Sequence, residues 1–277
     1  MEILQRTAAE IDNLNKQVMK QAQKRLDSLT KPEGSLGRLE ELAVKMAGIT
    51  GKVYPEIENK FHIVMAADHG VAEEGVSAFP QEVTTRVGYN FLQEGAAVNV
   101  LAAQSGSGVK IVDMGIKQQI DKELLLRDKN FTPEMFINRK IASGTGNMTQ
   151  GPAMSPKEAV KSLEIGIEIS QDLVQEGTNL IGVGEMGIAN TTASSAVTAA
   201  ITGVALEKVV GFGTGISKEQ KQHKQEVIAR ALEINQPDAE DGVQVLAGVG
   251  GFEIGGMAGV ILGAAAAGVP VIIDGLI

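Results

Sequence analysis

The sequence predicts an α/β fold: a three-layer α/β/α, doubly wound, mainly parallel sheet with a small N-terminal helical lobe. Three observations carry this. Short β-branched apolar runs alternate with helical segments from residue 61 onward, and such alternation builds β-α-β units whose parallel strands are covered on both faces. Nearly every run closes on a glycine-bearing turn. Glycine fills 33 of 277 positions, about 12% against a usual 7% or so, with no repeat or low-complexity tract to absorb the excess.

The lobe comes first. Residues 1–30 carry helical apolar spacing, and Lys31-Pro32-Glu33-Gly34-Ser35-Leu36-Gly37-Arg38 reads as a loop from its Pro and Gly. Residues 39–49 form an amphipathic helix with Leu39, Leu42, Ala43 and Met46 on one face. This divides the chain into a helical lobe, 1–55, and a Rossmann-like nucleotide-binding domain, 56–277. In the larger part the predicted strands are 61–67, 109–114, 179–183, 208–212, 243–247 and 269–274. The predicted helices lie near 83–104, 156–176, 191–203, 217–234 and 254–267. The polar stretch 117–151 reads as a long irregular excursion over the site. Ligands of doubly wound sheets bind at the carboxyl ends of the strands.

Composition removes several function classes. With net charge −9, 3% aromatics and no tryptophan, the chain is no base-stacking nucleic-acid binder. Without cysteine it holds no disulfide, thiolate metal site, iron–sulfur cluster or cysteine nucleophile. A polar N-terminus excludes a signal peptide and makes the cytoplasm the expected compartment. Residues 254–277 resemble a membrane span, down to the Gly255/Gly259 pair. Gly268-Val269-Pro270 interrupts that run and Asp274 follows a β-branched stretch, so a buried helix, a tight turn and a strand are expected instead.

Four clusters carry chemistry. Gly182-Val183-Gly184-Glu185-Met186-Gly187-Ile188-Ala189-Asn190-Thr191-Thr192 follows a predicted strand and opens a small-residue helix, an arrangement that aims backbone N–H groups and a helix N-terminus at an anion. It also matches G-x-G-x-x-G, with Glu207 twenty residues past Gly187, so a nicotinamide dehydrogenase is an alternative. Glu207 stands before the next predicted strand rather than at its end, which counts against that reading. The second cluster, Gly211-Phe212-Gly213-Thr214-Gly215, is followed by Lys218, Lys221 and Lys224, of which one suits a phosphate and two a solvated helix face. In the third, Gly248 to Gly256, Glu253 opens a helix and suits capping as well as catalysis. The fourth joins Asp68-His69, as an acid–base pair, to the loop Ser77, Ala78, Phe79, Pro80, Gln81, whose hydroxyl, ring, proline and amide suit a flat heteroaromatic ligand. His62, His69 and His223 show no metal-ligand spacing, so no metal is expected.

Together the segments K-P-E-G-S-L-G-R-L-E (31–40), A-A-D-H-G-V (66–71), V-S-A-F-P-Q-E-V-T (76–84), G-T-G-N-M-T (144–149), G-V-G-E-M-G-I-A-N-T-T (182–192), G-F-G-T-G (211–215) and G-V-G-G-F-E-I-G-G (248–256) resemble the nicotinate-nucleotide:dimethylbenzimidazole phosphoribosyltransferase family. The resemblance implies a homodimer without cofactor that moves 5-phosphoribosyl from nicotinate mononucleotide to a benzimidazole-like base with inversion. It implies that Gly184, Glu185, Gly187, Asn190, Thr191, Gly213, Thr214, Gly215 and Lys224 meet the ribose phosphate, and that Ser77, Phe79, Pro80 and Gln81 line the base pocket. Family members continue past V-I-I-D-G into a segment bearing a glutamate taken as general base. That glutamate has no counterpart up to Ile277, which leaves Glu185 as a positioning residue or substitute base. A nucleotide- and base-binding homologue or fragment with impaired catalysis is therefore the alternative expectation.

Overall fold

The computed structural model describes residues 1–126 and 131–277. Five strands, β1 (Lys60–Ala67), β2 (Ser107–Gly115), β3 (Phe136–Asn138), β4 (Leu180–Met186) and β5 (Val271–Ile273), form one parallel sheet in the order β3-β2-β1-β4-β5. The helices are α1 (Glu2–Ala9), α2 (Lys16–Asp27), α3 (Arg38–Thr50), α4 (Val83–Leu92), α5 (Ala97–Ser105), α6 (Lys122–Leu125), α7 (Pro156–Gln175), α8 (Asn190–Thr202), α9 (Leu206–Val209), α10 (Lys218–Asn235), α11 (Gly242–Val249) and α12 (Phe252–Ala266).

Side chains alternate across β1, which is how the sheet acquires two covered faces. Ile63, Met65 and Ala67 join a core with Leu163, Ile169, Met257 and Val260 of α7 and α12. Val64 and Ala66 join the opposite core with Leu92, Ile116 and Ile120. The α/β class expected from the sequence is therefore present, with helices on both sides. Ser155 caps α7, accepting from Glu158 N while the Glu158 carboxylate accepts from Ser155 N at 2.8 Å.

Helices α7 and α12 cross backbone to backbone. A Cβ on Gly166 would lie 2.0 Å from the Gly256 carbonyl oxygen, and one on Gly259 would lie 2.0 Å from that of Leu163. The small-residue run that resembled a span is this seam. No helix among the described residues is long and apolar enough to cross a membrane.

Several expected elements differ. Residues 243–247 are helical, within α11, not a strand. A mostly apolar run of five residues is too short to separate the two states, and the deciding signal was Asp241, whose side chain accepts from Val243 N and Gln244 N as a helix cap. Residues 208–212 are the end of α9 and a loop rather than a strand. The second glycine cluster thus follows a helix, and the third runs from the end of α11 into the start of α12. The helix expected over 83–104 breaks into α4 and α5 where Glu94 takes φ +59°. The excursion 117–151 contributes α6 and the edge strand β3; residues 127–130 of it lie outside the described residues. At the N-terminus α1 packs on α7 and α12, while α2 and α3 pack on each other, and Leu39 and Leu42 are exposed.

Candidate active site

The strand order places the site. The chain builds outward from β1 through β2 to β3, then returns to the other side of β1 with β4 and β5. The direction of winding reverses between β1 and β4, and a crevice opens there at the carboxyl edge. Ala66 pairs with Met186 at that edge. Asp68 and His69 follow β1, and Glu185 at the end of β4 and Gly187 just past it stand across from them on the opposite lip of the crevice.

On the β4 lip, Ala189 adopts φ +75° and turns the chain into α8. Asn190 Nδ2 then donates to Glu185 Oε1 at 2.9 Å. Burial, and after it the neighbouring carboxylates of Glu253 and Asp274, push the Glu185 pKa up, against the opposing bond from Asn190. One residue on, Thr191 Oγ1 accepts from Lys224 Nζ at 2.6 Å. Lys224 is only 1% exposed, and burial lowers its pKa from 10.5 to about 8. Among the described residues no carboxylate forms an ion pair with it. Gly213, at φ +50°, closes the third side, for a Cβ there would lie 2.9 Å from Thr191 Oγ1 and 3.3 Å from Lys224 Nζ. The start of α8, the loop at Gly213 and helix α10 thus converge on a buried ammonium with no counter-ion among the described residues, which suits an anion. Gly184 and Gly215 border open space. Of the other lysines, Lys218 is exposed and Lys221 lies over the Phe212 ring at 5.1 Å.

The loop after β1 meets this group from the other side. Ser77 Oγ lies 3.3 Å from Thr214 Oγ1, which also accepts from Ala78 N at 3.0 Å. Phe79 and Pro80 are exposed beside them. Gln81 is bound at both ends of its amide: Nε2 donates to the His69 carbonyl at 2.8 Å, and Oε1 accepts from Lys117 Nζ at 3.5 Å. It lines a cavity of about 220 Å³ with Asp68, Glu82, Thr85, Lys117 and Gln118. Asp68 accepts from Lys117 N at 2.6 Å, and burial raises its pKa.

Sequence reasoning singled out His69 and Glu253 separately, with no sign that they meet. His69 Nε2 lies 2.6 Å from Glu253 Oε1, with both side chains buried. Nothing in the sequence hinted at Glu74, which accepts from Asn147 Nδ2 and Thr149 Oγ1 at 2.8 Å each and pairs with Arg230 on α10, the helix of Lys224. The dehydrogenase alternative loses its footing. Gly182 and Gly184 lie within β4 rather than in a phosphate turn, and a Cβ on Gly182 would strike the His62 ring at 2.3 Å. Glu207 lies inside α9, not at a strand end.

Comparison with known proteins agrees with this geometry. A family model described as "DBI_PRT: Phosphoribosyltransferase" matches residues 11–277. The nicotinate-nucleotide–dimethylbenzimidazole phosphoribosyltransferase of Halalkalibacterium halodurans is 51% identical over 267 residues, covering 96% of this chain and 72% of that protein. Its namesake from Desulforamulus reducens is 50% identical over 279 residues, covering all of this chain and 76% of the relative. The crystal structure of CobT from Thermus thermophilus superposes with a TM-score of 0.86 at 42% identity, covering 94% of this chain and 75% of that one. On the strength of these matches, the chain belongs to the nicotinate-nucleotide–dimethylbenzimidazole phosphoribosyltransferase family.

Proposed function

We propose that the protein transfers 5-phosphoribosyl from nicotinate mononucleotide to a benzimidazole-like base, releasing nicotinate and an α-riboside 5′-phosphate. The carrying observation is the buried ammonium of Lys224 at Thr191 and Gly213, which has no carboxylate partner among the described residues. A donor phosphate would supply the missing negative charge. The loop of Ser77, Phe79, Pro80 and Gln81 that suits a flat acceptor lies one hydroxyl contact away.

The chemistry asks little of the protein beyond placement and charge. The pyridinium becomes a neutral ring nitrogen as nicotinate leaves, so no strong general acid is required. Positive charge develops at the ribose carbon, where the carboxylate of Glu185 supplies compensating potential when ionised. The base attacks through its unprotonated ring nitrogen, while the N–H of its other ring nitrogen must give its proton to a carboxylate, and Glu185 is the substitute base available on the β4 lip. Gly184, Gly187, Asn190, Thr191, Thr214 and Gly215 complete the ribose-phosphate cradle in this reading.

We further infer a homodimer acting in the cytoplasm from a Rossmann-like domain of residues 56–277 and a lobe of residues 1–55. Leu36, Leu39 and Leu42, all exposed at the start of α3, offer apolar surface that a second copy would cover. The chain spans about three quarters of the length of these relatives.

Incubation with nicotinate mononucleotide and dimethylbenzimidazole, followed by chromatography for α-ribazole phosphate, tests the reaction. Stoichiometric appearance of nicotinate and the riboside is expected. Nucleotide binding without product would establish the binding-only reading instead.

A further inference from the structure

His69 touches both lips of the crevice. Its ring is packed between two turns: a Cβ on Gly187 would lie 3.2 Å from its Cδ2, and one on Gly251 would lie 2.4 Å from its Cε1. Glycine at both positions leaves room for the imidazole. Nε2 is fixed at 2.6 Å from Glu253 Oε1, and the other oxygen of Glu253 is buried without a hydrogen-bond partner among the described residues. The main chain of the same residue reaches the acceptor side, because its carbonyl accepts the amide of Gln81 at 2.8 Å.

Three carboxylates face this ring: Glu253 from α12, Glu185 from β4, and Asp68 from its own segment. Burial alone would keep the imidazole neutral. Glu253, Asp68 and Glu185 together outweigh it, and the His69 pKa is raised above the ordinary histidine value. A charged ring bonded to a carboxylate in a dry setting is held far more rigidly than a neutral one.

We propose that His69, fixed by Glu253, is a positioning residue that couples the two subsites, its ring propping the Gly187 turn against the donor and its carbonyl holding Gln81 against the acceptor. This rests on the assignment of donor and acceptor sides under the proposed function. Small displacements of such supports misplace reacting groups, and a shift near 1 Å is enough to cost up to roughly a hundredfold in rate.

The chain has three histidines, so ring-labelled wild-type protein gives a spectrum of three imidazoles, with the His69 signal identified by its loss in His69→Gln. In wild type that ring is expected to titrate at a higher pH than in Glu253→Gln, and its signal to shift when nicotinate mononucleotide is added and again when dimethylbenzimidazole is added. Glu253→Gln is expected to lower the pH at which the ring titrates and to raise KM for both substrates about tenfold. A wild-type ring that titrates no higher than that of Glu253→Gln, or that is silent to either substrate, overturns the proposal even if the enzyme turns over normally. So does a folded Glu253→Gln protein with both KM values unchanged. A wild type that makes no product while its His69 signal answers both ligands sinks the transferase reading and supports the coupling.

Discussion

Lys224 and Thr191 stand 2.6 Å apart, ammonium to hydroxyl, in a pocket where no carboxylate among the described residues balances the ammonium. Its pKa of about 8, against 10.5 unperturbed, records the cost of burying it. The sign follows from proton counts. Between pH 8 and 10.5 the unfolded chain holds this proton and the folded one does not, so the penalty is largest below pH 8, on the order of 3 kcal/mol, and is relieved as pH rises. A bound phosphate should reverse the balance. Binding of nicotinate mononucleotide at pH 8 is expected to take up a proton, seen as a buffer-dependent enthalpy in calorimetry, and to weaken between pH 7 and 9.5. Lys224→Met should lose the proton uptake, weaken donor binding by at least about tenfold, and leave the apoprotein no less stable.

Gly213→Ala probes the same spot without removing a charge. The added methyl meets Thr191 Oγ1 and Lys224 Nζ, and the φ of +50° costs an alanine about 1 kcal/mol. The expected result is a several-fold higher KM for the donor with little change in the KM of the base. A uniform fall in kcat with KM unchanged would contradict the placement.

Glu185 is held against its own preference. Because burial and the carboxylates of Glu253 and Asp274 raise its pKa, the folded state binds its proton more tightly than the unfolded state. Stability attached to this group is therefore lost as pH rises from the ordinary glutamate range through the raised value. Glu185→Gln should consequently raise the midpoint of thermal unfolding at pH 7.5 while lowering kcat/KM by roughly two orders of magnitude. The activity of wild type should fall on the acid side at a higher pH than an unperturbed glutamate would give.

Gly166→Ala tests the frame rather than the site. Its methyl has backbone, the Gly256 carbonyl, at 2.0 Å, and backbone cannot swing aside as a side chain can. A loss of about 3 kcal/mol or more is expected, read as a lowered unfolding midpoint in denaturant with similar slope.

Much of this fold could be read from local pattern, and the failures share a cause. β1, β2 and β4 are long apolar runs ending in glycine or Asp-His, and α7 announces itself with Ser155, Pro156 and Glu158. Residues 243–247 did not, because a five-residue run is too short to show a period and fits strand and helix alike, and only the Asp241 cap betrays the helix. β3 is three residues long, too short to carry a pattern. In the site, Thr191 and Gly213 were named from local chemistry, Lys224 was singled out among three lysines by the family resemblance, and the fold brings them together. The bond between His69 and Glu253 was invisible, since a contact across 184 positions leaves no trace in spacing.

That same separation sets a timetable. During synthesis the chain emerges at roughly 5–20 residues per second, so His69 waits on the order of 10 to 40 s before Glu253 exists. Within that interval β1 can pair with β2 and the Gly187 turn is made, but the Gly251 turn that closes the other side of the ring comes only at its end. The crevice is consequently among the last features of the protein to close, and a nascent chain stopped before α12 would carry the β1 and β4 lips already paired strand to strand but without the carboxylate that fixes His69 between them.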